Sequence, residues 1–160
     1  MTMKKFFLSS LIALAGLTAS AQSEMSAEEL AFRNGMEQFI REEGFTPTID
    51  DDDNSVNFKK EGISYWITVT DSDPYYIRFH RGGISFDASE RTMMLEACNY
   101  ANLNKRCGKA NIANSGTVTS FTVEYYCSSV EQFKKSFYDY LSCLTSLRNA
   151  ARDYIDEHSK

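Results

Sequence analysis

The chain has 160 residues, 42% of them hydrophobic and 24% charged, and a formal net charge of −5. A chain of this length and balance has room for one hydrophobic core, and its composition excludes a collagen-like, low-complexity or wholly disordered protein. An acidic surplus argues against a protein that grips a nucleic-acid backbone, and two histidines leave little material for imidazole chemistry.

The N-terminus reads as an export signal. Lys4 and Lys5 precede an apolar stretch from Phe6 to Leu17, and Ala19-Ser20-Ala21 supplies the small-x-small pattern of a signal peptidase site. The expected cut falls before Gln22, giving a leader over residues 1–21 and a single domain over residues 22–160. The apolar run is too short for a comfortable membrane span, and no cysteine at the cut invites a lipid. The expected product is periplasmic or extracellular, carries 15 basic against 22 acidic side chains, and keeps no stable membrane anchor.

Ser26 and Glu29 form a capping box at the start of a helix predicted from about Ala27 to Glu43, with Leu30, Phe32, Met36, Phe39 and Ile40 at helical spacing and Gly44 as its stop. Extended segments follow: Phe45–Ile49, Val56–Lys60, Ile63–Thr70 and a strand from Tyr75. Turns at Asp50–Asn54, Glu61-Gly62 and Asp71–Pro74 separate them. Alternation places Tyr65, Ile67, Ile77 and Phe79 on an inner face and Trp66, Tyr76, Arg78 and His80 on the outer one. A second helix spans about Glu90 to Asn102. A hairpin from Cys107 to Ala113 and Thr117 to Tyr126 comes next, and a last helix covers about Val130 to Glu157. The fold class is α+β, in the order α-β-β-β(-β)-α-β-β-α. Its antiparallel sheet, a meander plus a hairpin, carries the helices mainly on one face and leaves the other at least partly open.

The order resembles the YbjN family and, more distantly, the type III secretion chaperone-like fold. The carriers are Met36-Glu37-Gln38-Phe39-Ile40 with Gly44-Phe45 in the first helix, and Asn99-Tyr100-Ala101-Asn102-Leu103-Asn104 leading into Gly108-Lys109-Ala110-Asn111-Ile112. The resemblance implies a non-enzymatic, often dimeric, binding or chaperone-like module, and it supplies no catalytic residues.

Asp50, Asp52, Asn54 and Glu61 fall at positions 1, 3, 5 and 12 of a calcium-binding EF-hand loop. Ser55 stands where that loop needs glycine, and the flanks read as strands, so a solvated hairpin turn is the expectation. Four cysteines in an exported chain allow three pairings. Cys143 lies too far along the last helix to reach Cys127. Cys107, read as a strand residue opposite Glu124, points outward. Cys98 and Cys143 both lie on helices over the same sheet face, and they form the expected bond; the alternative is that all four are small buried or free thiols. A catalytic thiol would need His80 or His158 as its base, and no phosphate-cradling loop, zinc spacing or nucleophile elbow occurs. No catalytic residue, metal ligand or cofactor is therefore assigned. The candidate binding residues are Trp66, Tyr76, His80 and Tyr126, aromatic side chains on an otherwise polar sheet face. The expected partner is a protein, a peptide or a second copy of the chain. A small periplasmic ligand-binding protein or enzyme with an acidic or aromatic pocket is the alternative.

Overall fold

The computed structural model describes residues 25–50, 52–70 and 72–159. The leader and its cut before Gln22 lie outside the described residues. Helix α1 (Ala27–Glu42) opens on Ser26, whose Oγ accepts a hydrogen bond from the Glu29 amide at 3.1 Å, and Glu28 and Glu29 place negative charge in its first turn. It ends in a Schellman motif: the Phe45 amide reaches Ile40 O and the Gly44 amide reaches Arg41 O, with Gly44 at φ +88°. That backbone conformation is open to glycine at no steric cost.

Six strands follow in an all-antiparallel sheet: β1 (Thr48–Ile49), β2 (Val56–Lys60), β3 (Ile63–Thr70), β4 (Tyr75–Arg81), β5 (Lys109–Ile112) and β6 (Thr119–Cys127). Glu61 and Gly62 both take positive φ, the tight turn that the twist of a two-residue hairpin favours. The spatial order is β1-β2-β3-β4-β6-β5. After β4 the chain leaves the sheet through a 3-10 turn (Ala88–Glu90) and α2 (Arg91–Asn104). It then lays β5 on the far edge, so that β6, not β5, pairs with β4. Gly83 permits this exit, because a Cβ there would lie 1.6 Å from the carbonyl oxygen of Thr119.

Helix α3 (Val130–His158) starts at Ser129, whose side chain accepts from the Gln132 amide, and lies with α1 and α2 on one face of the sheet. The α+β reading with helices on a single face is thus the observed architecture. The core between the layers joins Phe32, Met36, Phe39 and Ile40 of α1 and Phe133, Phe137, Leu144 and Leu147 of α3 to the inward residues Val56, Phe58, Ile67, Ile77, Phe79 and Phe121. Phe137 is its hub. Its ring lies within 6.2 Å of those of Phe39, Phe45, Phe58, Phe79 and Phe133.

The expected bond between Cys98 and Cys143 is not formed. The disulfide joins Cys107 to Cys143 with their Cα atoms 5.9 Å apart, while Cys98 and Cys127 are buried free thiols. The expectation treated Cys107 as a strand residue. Extending the β5–β6 register does set Cys107 opposite Glu124, but β5 begins only at Lys109, and Cys107 lies in the preceding turn, where strand parity no longer fixes direction. Gly108 lets that turn press onto the molecule: a Cβ there would stand 2.6 Å from Thr122 O and 2.8 Å from a Leu147 methyl. Cys98 instead packs at 3% exposure within the core, where burial pushes its thiol up to about 11.

The acidic Asp50–Asn54 segment joins two strands, β1 and β2, as a turn. Asp50 Oδ1 accepts from the Asp52 amide and Asp53 Oδ1 from the Ser55 amide, both at 2.9 Å. The Asn54 side chain accepts from Arg33 at 3.0 Å, tying the turn to α1.

Candidate functional site

The outer face of the sheet carries the candidate residues, because strand alternation that sends Ile77 and Phe79 inward sends their neighbours outward. β3 and β4 pair Trp66 with His80, and β4 and β6 pair Tyr76 with Tyr126. Trp66 and His80 stack with ring centroids 4.9 Å apart and an interplanar angle of 6°. The Tyr76 and Tyr126 rings lie 5.4 Å apart and tilted by 56°. Tyr126 is 62% exposed, and the other three are half-buried.

These four side chains form two cross-strand pairs, not one cluster. Between them runs a charged row in which Arg78 pairs with Glu124. The Glu124 carboxylate accepts from Arg78 Nε at 3.0 Å and from the Lys109 ammonium, and the Arg78 guanidinium lies 6.0 Å from the Tyr76 ring centroid. Hydrogen bonding to Lys109 is the main influence holding the Glu124 carboxyl below its ordinary range, against the opposing effect of burial. The hydrogen bond between Tyr76 and Glu124 pushes the Tyr76 hydroxyl up, since an ionised phenol would face a carboxylate.

His80 is held down to about 4 by burial, with the positive charge of Arg78 acting in the same direction. Its imidazole is therefore neutral at neutral pH and serves as a flat aromatic surface. Its Nδ1 lies 3.2 Å from Thr122 Oγ1, which fixes the ring against Trp66.

Parity along single strands places Arg78 and Glu124 outward, but their meeting depends on the β4–β6 register, which joins segments 46 residues apart. Lys109 enters the same cluster from β5 across β6. No signal in the sequence announces this triplet as a unit.

The class of protein these observations define is a one-sided α+β sheet domain whose helix-free face carries aromatic pairs on either side of an ionic row. The chain belongs to the YbjN family: the family model, described as "Putative bacterial sensory transduction regulator", matches residues 33–132, from α1 into the first turn of α3. Among solved structures it is similar to a chain in the structure of the HopA1–SchA chaperone–effector complex. The TM-score is 0.53 at 12% identity, covering 78% of this chain and 98% of that one. At that identity the likeness is one of fold. No curated protein matches the sequence.

Proposed function

We propose that this chain is an exported protein- or peptide-binding domain of chaperone-like character, without chemistry of its own, that works through the outer face of its sheet. The observation that carries the reading is the one-sided architecture. All three helices lie on one face, and on the other Tyr126 is exposed while Trp66, His80 and Tyr76 are half-buried. Aromatic side chains bury large area at small entropic cost, which suits a surface that must hold a partner. The shared fold with a chain of a chaperone–effector complex supports a protein partner. The Cys107–Cys143 bond and the apolar leader both support an oxidising compartment outside the cytoplasm.

The test uses Trp66→Ala. Self-association is read by light scattering with and without reductant, and protection of a chemically denatured client protein from aggregation is read in parallel. The expected result is about a tenfold weakening of whichever association the wild type shows, with a melting temperature within a few degrees of wild type. A variant that loses stability as steeply as it loses association would make Trp66 part of the core, and one that leaves every association intact would remove the face from the function.

A further inference from the structure

On the helix side of the sheet, where β3 and β4 run under α3, a cavity of about 410 Å³ holds a feature the fold does not explain. Arg81 lines it at 3% exposure, yet its Nε and Nη1 have no hydrogen-bond partner, and it enters no ion pair among the described residues. A buried cation without a counter-charge is costly, and proteins place one where a ligand or partner group will supply the charge. Among the described residues its support comes from the Tyr65 ring, 5.9 Å from the guanidinium carbon. Arg148 on α3 adds positive charge nearby instead of neutralising it, and together with burial this depresses the guanidinium's proton affinity.

We propose that this cavity binds a small carboxylic acid with an apolar body, the Arg81 guanidinium taking the carboxylate while Tyr65, Ile63 and Leu141 hold the body. The site is separate from the outer face and does not rest on the function proposed for it. Guanidinium and carboxylate match in charge, and the volume suits a small molecule. A carboxylate is favoured over a phosphate by the rest of the lining. Glu61 stands on the rim beside Lys60, 2.7 Å from it, and its negative charge opposes a dianion more strongly than a monoanion.

The experiment titrates the full chain with phenylacetate, phenylacetamide and phenyl phosphate, by calorimetry and by the Nε–H resonances of arginine-labelled protein. The assignment predicts saturable binding of phenylacetate that moves the resonance absent from Arg81→Met, and no binding of the amide. It predicts at least about a thirtyfold loss of affinity in Arg81→Met. Equal binding of acid and amide, tighter binding of the phosphate, or full affinity in Arg81→Met would overturn it, as would no binding of phenylacetate at all. The acid–amide comparison is made on the unaltered chain, so it decides the matter even if Arg81→Met folds poorly.

Discussion

Breaking the Cys107–Cys143 bond should be the single most damaging change outside the aromatic core. The two residues are 36 apart in sequence, and the bond ties the turn before β5 to the middle of α3. A cross-link of that span removes denatured-chain entropy worth about 4 kcal/mol at 25 °C in the loop-closure treatment. Spread over the unfolding entropy of a domain this size, that is a fall in melting temperature of about 10–15 °C. The native cost of releasing the bond adds to it, because Cys143 is only 9% exposed and its freed thiol stays packed. The assay is thermal unfolding followed by far-UV circular dichroism, comparing the oxidised chain, the reduced chain and the double variant Cys107→Ser/Cys143→Ser. Thiol titration of the unreduced protein in denaturant should find two free thiols, those of Cys98 and Cys127. Melting temperatures within a few degrees of one another would refute the entropic argument, and a mapped bond between Cys98 and Cys143 would refute the geometry itself.

Phe137→Ala should cost about 3–5 kcal/mol in a urea titration, because Phe137 has no exposed surface and six neighbouring rings would be left around the hole; a loss below about 1 kcal/mol would mean the core refills it. His80 sets an acid limit. Its folded affinity for a proton, down at about 4, lies below the ordinary value of 6.5, so between those values the unfolded chain binds more protons than the native one. The stability tied to this neutral ring is full above about pH 6.5 and is lost as pH falls toward 4. His80→Gln should therefore flatten the melting-temperature profile over that window, and parallel profiles for variant and wild type would show that the ring is not coupled to folding.

Local chemistry was legible in the sequence, whereas long-range geometry was not. Ser26, Gly44 and Glu61-Gly62 act through backbone hydrogen bonds and φ values within a few residues, so their roles as cap, stop and turn can be read in line. Alternation likewise separates Tyr65 and Ile67 from Trp66, because the side-chain period of a strand is a local property. Register is different. The ionic row needs Arg78 opposite Glu124 and Lys109 diagonal to it, and that pairing is decided by how the crossover through α2 returns the chain. Cys107 failed for a related reason, since a two-residue error in where β5 begins converts a parity argument into a wrong direction. Arg81 was within reach: it continues the inward series Ile77, Phe79, Arg81, and a cation at an inward position is a signal that strand alternation alone can raise.

Under the two proposals, the faces of the sheet would take different kinds of occupant. On the outer face, Tyr76 and His80 are four residues apart along β4, about 13 Å at the rise of an extended strand. The aromatic pairs they head thus sit at the spacing of residues i and i+4 on one side of an extended polypeptide, with Arg78, Glu124 and Lys109 beneath the residue between. Such a surface is shallow and repeats at the backbone period, so under the proposed function it suits a chain segment better than a compact molecule. The cavity around Arg81 has a different character: a half-open recess between sheet and helix, with one uncompensated charge at its wall. A polypeptide backbone would bring unpaired amides and carbonyls into that space at a large desolvation cost, whereas a single carboxylate on a small apolar body brings only the charge the site lacks. The one-sided packing of the helices produces both features, since it leaves one face free of helices and hides Arg81 beneath the other.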